Sequence, residues 1–278
     1  MIPRILVIAG SDSSGGAGIQ ADLKTAQAFG VYAQTTITAV TVQNSLGVTG
    51  AHLVPPAIVR DQIIACLSDI GADAIKTGML GNAEMVEMVA ATLAEHAPQI
   101  PLVVDPVMVA KGGSPLLEDA AVAALKTRLL PMARLVTPNL PEAQALTGVD
   151  PRSERQLGEA VLALKALGVE NALIKGGHGD GPTVRDVLWT GGEFIAFEAP
   201  RQATRHTHGT GCTLATAIAC GLAQGRSLQE AVARAHAFVQ AAIGAAPGLG
   251  QGHGPLGHGP LGHGYLGHGL SGPGAARP

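Results

Sequence analysis

Short runs of apolar and β-branched residues alternate with longer, alanine-rich stretches along most of the chain. The short runs predict buried strands at Ile5–Ala9, Gln34–Val42, Ala74–Thr77, Leu102–Asp105, Arg134–Thr137 and Ala172–Lys175. The longer stretches predict helices at Ala17–Phe29, Pro56–Ile70, Asn82–His96, Asp119–Leu130, Leu140–Leu146, Glu154–Leu167, Gly211–Gln224 and Ser227–Gly244. This alternation is typical of an α/β fold with a mostly parallel central sheet and helices on both faces.

A β-hairpin is predicted at Asp186–Ala199, where Gly191 and Gly192 separate two apolar runs. We expect this hairpin to lie at one edge of the sheet. No stretch with the composition of a linker divides residues 1–250, so we expect them to form one domain.

The composition changes abruptly after Gly250. Glycine and proline become frequent, and histidines recur every five residues, at His253, His258, His263 and His268. Because such a segment has few apolar side chains to bury, we predict that residues 251–278 form a flexible tail. A histidine-rich metal-binding tract is the alternative interpretation, although this spacing matches no defined coordination geometry.

Composition and charge narrow the functional class. Of the 278 residues, 46% are apolar and 14% are charged, which is enough for one large core. The net charge of −3 offers no attraction to nucleic acid or anionic membranes, so we expect a small-molecule ligand. Three irregularly spaced cysteines fit neither a disulfide scaffold nor a zinc site. The first apolar run is too short for a signal peptide, and no segment could span a bilayer, which predicts a cytoplasmic protein.

Polar residues follow almost every predicted strand. In open parallel sheets, ligands bind beyond the carboxyl ends of the strands, so these residues are the candidates for chemistry. In chain order they are the loop Gly10–Gly18, the pair Gln43 and Asn44, residues 76–79, Asp105 with Pro106, residues 137–139 with Glu142, and residues 175–178.

The glycine-rich loop after the first strand matches two nucleotide-binding patterns only in part. A Walker A loop needs Lys-Ser/Thr where this chain has Gly16 and Ala17. A dinucleotide site needs an acidic residue at the end of the second strand, where Gln43 stands. The loop can still surround a small polar ligand with backbone amides. A turn that only starts a helix is the alternative.

Two acidic residues, Asp105 and Glu142, follow separate predicted strands. The carboxyl ends of parallel strands lie at the same edge of the sheet, so the two side chains can meet there. Carboxylate oxygens beside phosphates are what Mg²⁺ requires. A helix cap or a turn is the alternative role for each residue.

The strongest local signal is the run THGTGCT, which leads into an apolar helix. Its glycines free successive backbone N–H groups, and the helix start adds positive potential, so the run predicts an anion-binding site. Cys212 lies in the first helical turn, where the dipole would favour a thiolate that acts as a base or nucleophile. A small residue that fills a tight helix start is the alternative. A Cys/His hydrolase site with His206 or His208 is a rival.

Seven segments of the chain resemble the hydroxymethylpyrimidine/phosphomethylpyrimidine kinases of thiamine biosynthesis, in the same order and up to about Gly254. They are AGSDSSGGAGIQADLKT, TAVTVQNSLGV, IKTGML, VVDPVMVAKGG, LVTPNLPEAQALTG, ALIKGGH and THGTGCTLATAIACGLAQG. The resemblance implies a ribokinase-like three-layer sandwich, ATP with Mg²⁺, and a homodimer. It also implies two successive phosphorylations of 4-amino-5-hydroxymethyl-2-methylpyrimidine.

The resemblance also implies roles for individual residues. Gly10, Asp22, Gln43, Met79 and Val107 would contact the pyrimidine, Gln43 at its amino edge. Lys175 and Thr207 would bind ATP, and Asp105 and Glu142 would organise Mg²⁺. Gly209, Thr210 and Gly211 would hold the transferring phosphoryl group, and Cys212 would be the base.

Two departures from the family pattern stand out. His206 occupies a position where relatives usually carry Asn, and the repeats beyond Gly254 replace a short family C-terminus. We expect the residues after Gly254 to be catalytically silent. A pyridoxal kinase of the same branch and a non-catalytic ligand-binding regulator are the alternative functions.

Overall fold

The computed structural model of the chain describes residues 1–108, 118–179 and 181–259. The strands are β1 (Arg4–Asp12), β2 (Tyr32–Asn44), β3 (Gly47–Leu53), β4 (Ala74–Thr77), β5 (Leu102–Val104), β6 (Leu135–Val136), β7 (Ala172–Ile174), β8 (Thr183–Thr190) and β9 (Glu193–Pro200). The α-helices are α1 (Gly18–Ala28), α2 (Pro56–Asp69), α3 (Ala83–His96), α4 (Asp119–Ala124), α5 (Leu140–Thr147), α6 (Glu154–Ala166), α7 (Thr210–Ala223) and α8 (Leu228–Gly244).

The strands form one sheet in the order β3-β2-β1-β4-β5-β6-β7-β8-β9. From β2 to β7 neighbouring strands are parallel, and only β3, β8 and β9 pair in an antiparallel manner. The carboxyl ends of the central strands therefore lie along one edge, as the sequence pattern requires. The predicted hairpin is confirmed, since β8 and β9 pair on either side of Gly191 and Gly192.

Helices cover both faces of the sheet, which confirms the predicted α/β three-layer architecture. Alternate residues of β1 point to opposite faces: Leu6 and Ile8 join a core with α2 and α3, whereas Ile5 and Val7 join a core with α1, α7 and α8. All four side chains are fully buried. A strand that is apolar on both faces is typical of a parallel sheet between two helical layers.

Helix α7 is buried along most of its length, from Thr213 to Gly221. It packs between the sheet and α8, where a Cβ at Gly221 would lie 2.7 Å from the Cβ of Ala231. The close approach needs glycine at this position. Because α7 is held on both sides, its N-terminus is fixed at the carboxyl edge of the sheet.

Two elements differ from the sequence prediction. Strand β3 was not predicted, because its short, glycine-containing sequence lacks an apolar alternation, yet it pairs with β2 from Ala39 to Asn44. The predicted helix Asp119–Leu130 ends early as α4, and Leu125–Leu129 forms a π-helical turn followed by a 3-10 turn that contains Pro131. Proline has no N–H to continue an α-helix.

The C-terminal segment, defined here as residues 250–258, packs against the domain. Leu256 is 3% and His258 8% exposed, and Gly257 N donates to Ala242 O at 2.9 Å. The predicted domain boundary after Gly250 is therefore wrong, because the packed body continues through His258. The rest of the predicted tail, residues 260–278, lies outside the described residues.

Glycines make this docking possible. A Cβ at Gly252 would overlap the Ser45 carbonyl, and one at Gly257 would overlap the Ala245 carbonyl. The composition that predicted a flexible tail thus serves close backbone contact in these residues. Within the part of the chain that the structure describes, no helix is long and apolar enough to cross a membrane.

Candidate active site

A cavity of about 920 Å³ opens at the carboxyl edge of the sheet. The first loop, the end of β2, the loops after β4, β5 and β7, and the start of α7 form its walls. All predicted site residues except Asp22 line it: Gly10, Gln43, Met79, Asp105, Val107, Glu142, Lys175, Thr207, Gly209, Thr210, Gly211 and Cys212. Its size suits a small molecule together with part of a second ligand.

The N-terminus of α7 begins at Gly209, which has a φ of 84°. A Cβ there would overlap the carbonyl oxygen of Gly16, so both the left-handed backbone and the lack of space require glycine. No side chain caps this helix start. Its first amides can therefore bind an anion, with support from the helix dipole.

Lys175, Asp105 and Glu142 form a charged cluster beside this helix start. Lys175 Nζ lies 2.8 Å from Asp105 Oδ1 and 3.8 Å from Glu142 Oε2. A Cβ on Gly211 would lie 3.4 Å from both Asp105 Oδ2 and Lys175 Nζ, so the cluster adjoins the amides of α7. A phosphate bound at the helix start would touch the lysine.

Glu142 has two roles in this cluster. It belongs to the capping box of α5, in which Asn139 N donates to Glu142 Oε2 at 2.8 Å and Glu142 N donates to Asn139 Oδ1 at 2.9 Å. Burial raises the pKa of Glu142 to about 7, although the charge of Lys175 opposes this shift. Near neutral pH this carboxyl can therefore take up or release a proton.

Asp105 and Glu142 are suitable ligands for Mg²⁺, which can take its remaining ligands from phosphates and water, but they are too few for a metal that only protein side chains coordinate. Asp105 and Glu142 offer hard carboxylate oxygens, and the described residues contain no group of three or more His, Cys, Asp or Glu that could hold a metal. Mg²⁺ is commonly bound through one or two carboxylates together with phosphates and water. The two predicted ligands would meet this need only with a phosphate ligand present.

The thiol of Cys212 faces the cavity from the first turn of α7. Burial raises its pKa to about 11, and the charge of Lys76 opposes this shift while Asp22 and Asp105 reinforce it. Burial therefore outweighs the opposing charge of Lys76, and the thiol is neutral at pH 7 instead of the predicted thiolate.

Asp22 lies beneath the cavity instead of lining it. Lys76 Nζ donates to both of its carboxylate oxygens, at 3.0 and 3.1 Å, and Thr216 Oγ1 donates to Oδ1 at 2.6 Å. Asp22 and Lys76 are fully buried. The structure thus does not place Asp22 in position for the predicted direct contact with a ligand.

Lys76 was a candidate only as one of residues 76–79, and no role was predicted for it. Its only signal in the sequence is a lysine inside a buried strand, between Ile75 and Thr77. A buried lysine needs an acidic partner, and the sequence does not show which acid that is.

The first loop and the end of β2 bring Gln43, His208 and Asp12 together in the cavity wall. The Asp12 carboxylate accepts from Ser14 N at 2.8 Å and from Ala17 N at 2.8 Å, which shapes the first loop. Burial alone would raise the pKa of Asp12, but hydrogen bonds from His208, Ser14 and Ala17 lower it to about 2. Asp12 is therefore ionised.

His208 binds Asp12 rather than the thiol. Its Nε2 lies 2.9 Å from Asp12 Oδ2, and no hydrogen bond among the described residues joins His206 or His208 to Cys212. This arrangement does not support a Cys/His hydrolase site. Asp12 and His208 were missed as ligand-side residues, although both lie in motifs that the sequence singled out.

Comparison with known proteins gives a family match. The family model described as phosphomethylpyrimidine kinase matches residues 12–257. A hydroxymethylpyrimidine/phosphomethylpyrimidine kinase of Streptomyces coelicolor is 52% identical over 254 residues, which cover 91% of this chain and 93% of that protein.

Two further proteins are similar. The thiamine biosynthesis bifunctional protein ThiED of Geobacter sulfurreducens is 52% identical over 252 residues, and the match covers 91% of this chain but only 51% of that longer protein. Among solved structures, an ADP complex of Bacillus subtilis pyridoxal kinase has a TM-score of 0.86 and 38% identity. That match covers 93% of this chain and 98% of the other.

Proposed function

The chain belongs to the phosphomethylpyrimidine kinase family, and from this we propose that it is an ATP-dependent kinase of thiamine biosynthesis. It would phosphorylate 4-amino-5-hydroxymethyl-2-methylpyrimidine and then the resulting monophosphate. The observation that carries the proposal is the uncapped start of α7, which adjoins Lys175 and Asp105 in the same cavity that Gln43 lines.

The site divides the work of phosphoryl transfer between its two ends. At one end, Met79 and Val107 would provide apolar walls for the pyrimidine ring, Gly10 would allow close approach, and Gln43 would bind its amino edge. At the other end, the amides of Gly209 to Cys212 would hold the transferring phosphoryl group. Such transfer depends mainly on positioning and charge neutralisation.

Charge neutralisation would come from Lys175 and from Mg²⁺. Lys175 is a permanent cation, because its two carboxylate neighbours raise its pKa more than burial lowers it. Asp105 and Glu142 would hold Mg²⁺, which when bound would neutralise phosphate charge. We assign Thr207 to ATP binding because it precedes the helix start and lines the cavity.

We propose Cys212 as the base that accepts the proton of the substrate hydroxymethyl group. In the transfer, the substrate oxygen forms a bond to the γ-phosphorus, the bond from that phosphorus to ADP breaks, and the hydroxyl proton passes to the sulfur. Since burial raises the pKa of Cys212 to about 11, the thiol must first lose its own proton. Turnover should therefore rise with pH above neutrality, about tenfold per unit, until the pKa is reached.

Substitution at this position tests the assignment. Cys212→Ala should lose roughly 10²–10⁴-fold in turnover and its alkaline rise, while ATP still binds. Cys212→Asp should keep more activity than Cys212→Ala, because a carboxylate can accept the proton at neutral pH. Near wild-type turnover by Cys212→Ala would show that the anion site, lysine and metal suffice.

The activity itself is tested by ³¹P NMR of the purified protein with ATP, Mg²⁺ and the pyrimidine. We expect a monophosphate followed by a diphosphate, with one ADP formed for each transfer. ATP that remains unconsumed with the pyrimidine present would contradict the proposal and favour a ligand-binding regulator. Lys175→Met is the matched control for contaminating kinases.

A second activity on pyridoxal is the alternative that the structural similarity to a pyridoxal kinase favours. Pyridoxal also presents a hydroxymethyl group on a six-membered nitrogen ring. The higher identity to the pyrimidine kinase supports the pyrimidine as the main substrate. Comparison of kcat/KM for the two substrates decides between them.

We also propose a cytoplasmic location and a homodimer. Size-exclusion chromatography with light scattering would measure the molar mass, and twice the 28.0 kDa of one chain would support the dimer. A mass of one chain at micromolar concentration would contradict it.

A further inference from the structure

A chain of hydrogen bonds links the first loop to the side chain of Gln43. One end of the Gln43 amide lies 3.1 Å from His208 Nε2, and the other lies 3.1 Å from Thr41 Oγ1. His208 Nε2 also lies 2.9 Å from Asp12 Oδ2, and Thr41 Oγ1 donates to Ser11 O at 2.9 Å. Both ends of the amide therefore contact groups with a second partner.

The chemistry of those second partners determines which end of the amide is which. The ionised Asp12 can only accept, so His208 Nε2 must carry a hydrogen and donate to it. Thr41 has one hydroxyl hydrogen, and the Ser11 carbonyl takes it. The one hydrogen on His208 Nε2 can reach Gln43 only if it is shared with Asp12, and Thr41 Oγ1 presents an acceptor lone pair.

With Nε2 of Gln43 toward His208, two donors would face each other, and Oε1 would compete with Ser11 for one hydroxyl hydrogen. A half-turn of the amide about χ3 removes the contact between two donors, because oxygen and nitrogen exchange places on the same heavy-atom positions. Gln43 Oε1 then shares the His208 Nε2 hydrogen with Asp12, and Gln43 Nε2 donates to Thr41. The contact with His208 thus decides the orientation, and the contact with Thr41 is compatible with it.

We propose that Asp12, acting through His208, holds the Gln43 amide with its oxygen toward His208 and its nitrogen toward Thr41, and that this orientation determines specificity for an aminopyrimidine ring. The inference rests on the proposed function. One acceptor lone pair of Oε1 and one N–H of Nε2 remain for a ligand. An aminopyrimidine offers the complementary pair, an amino N–H beside a ring nitrogen.

Asp12 and His208 are thus positioning residues that act through Gln43. His208 is 5% exposed and packs against Gly16, where a Cβ would lie 2.5 Å from its Cδ2, so the ring is also held sterically. Its neighbour Gly209 starts the anion site. The same imidazole therefore joins the ring-binding end of the cavity to the phosphoryl-binding end.

The orientation can be measured without substrate. In selectively ¹⁵N-glutamine-labelled protein, the Gln43 amide protons should show nuclear Overhauser contacts to the Thr41 methyl group and weaker contacts to the His208 ring. Strong contacts to the His208 ring without contacts to Thr41 would overturn the proposal. Gln43→Leu identifies the resonance by its absence.

The effect on specificity needs a double-mutant cycle. We would measure the Kd of 4-amino-5-hydroxymethyl-2-methylpyrimidine and of pyridoxal by calorimetry for wild type, His208→Ala, Gln43→Leu and the double variant. His208→Ala should lower the preference for the pyrimidine by roughly 10- to 100-fold, as expected for loss of a buried hydrogen-bond partner. In the Gln43→Leu background the same change should have little further effect.

Two controls separate positioning from general damage. His208→Gln places an amide N–H near Asp12 and should restore part of the preference, even if His208→Ala unfolds. His96→Ala removes a histidine at the end of α3, outside the cavity, and should leave the preference unchanged. Additive effects of His208→Ala and Gln43→Leu would overturn the inference alone. Absence of pyrimidine binding by the wild type would overturn the proposed function with it.

Discussion

Two lysine–aspartate pairs lie near the carboxyl edge of the sheet. Both join an ammonium group to a carboxylate, but they differ in burial and in their neighbours. Lys76 pairs with Asp22 at 3.0 Å, and Lys175 pairs with Asp105 at 2.8 Å. The first pair has no exposed side-chain surface, and Thr216 donates a further hydrogen bond to its carboxylate. We call it the sealed pair.

The second pair, which we call the open pair, lines the cavity. Lys175 is 12% exposed and also faces Glu142, so one cation stands among two acids. The same two residue types thus form a fully buried pair at one place and part of the cavity wall at another, so residue type alone does not make a binding site. In the sealed pair the two charges neutralise each other, and the pair supports the fold. In the open pair one lysine faces two carboxylates, and the second carboxylate would be available to bind Mg²⁺ together with a phosphate.

The largest expected effect comes from breaking the sealed pair. Lys76→Met leaves Asp22 buried without a cation and should lower the free energy of unfolding by about 3–5 kcal/mol. The double variant Lys76→Met with Asp22→Leu should recover most of that loss, because it removes both charges. Urea denaturation monitored by circular dichroism measures both effects. A single variant as stable as wild type would contradict the distinction between the two pairs.

Breaking the open pair should affect activity rather than stability. Lys175→Met should reduce kcat by roughly 10²–10³-fold, because a group that stabilises developing phosphate charge is lost. Its free energy of unfolding should fall by less than that of Lys76→Met, since Lys175 is 12% exposed at the cavity whereas Lys76 is fully buried. Steady-state kinetics and the same denaturation series check this. Equal destabilisation by Lys175→Met and Lys76→Met would show that the two pairs contribute alike to stability and would contradict this prediction.

Glu142 extends the comparison, since it lies within 3.8 Å of the lysine of the open pair and is itself titratable near neutral pH. Folding raises its pKa from 4.5 to about 7, so the native state binds more protons between these values than the unfolded state does. The protonated Glu142 carboxyl therefore contributes to the free energy of unfolding. This contribution is fully present below pH 4.5 and is lost as pH rises through about 7.

The unliganded wild type should therefore lose about 2–3 kcal/mol, relative to Glu142→Gln, between pH 4.5 and pH 7.5. Denaturation curves of both proteins across this range provide the measurement. Parallel pH dependence of the two proteins would show that Glu142 titrates normally.

The smallest expected effect is on stability and comes from removing the C-terminal segment. This segment contacts the first turn of α7, where His258 Nε2 lies 2.8 Å from Thr213 Oγ1. Removal of residues 255–278 exposes the site of Leu256 and should lower the free energy of unfolding by about 2 kcal/mol. Truncation after Gly259 keeps every contact described for this segment and is the matched control. Equal stability of the two truncated proteins would contradict a stabilising role for Leu256 and His258.

Topology explains which parts of the site were predictable. Asp105, Glu142 and Lys175 are far apart in sequence, but each follows a parallel strand, and parallel strands bring their carboxyl ends to one edge. The glycines before α7 predicted the anion site from local sequence, because glycines that lead directly into a helix leave its first backbone N–H groups free. These inferences need only the strand pattern and the residue that comes next.

Other features depend on partners that the sequence does not specify. Asp22 and Lys76 are 54 positions apart, and nothing local shows that they meet. The pKa of Cys212 is raised mainly by burial, which the sequence does not reveal. Gly252 illustrates a third limit, because glycine is equally typical of disorder and of tight backbone contact.

The sealed pair also constrains how this protein can change over generations. Loss of either charge alone passes through a strongly destabilised intermediate, whereas loss of both is tolerated far better. Positions 22 and 76 should therefore be inherited as a unit, and lineages that replace one residue should replace the other. An alignment of sufficiently divergent relatives would show the two positions covarying, although neither lines the cavity.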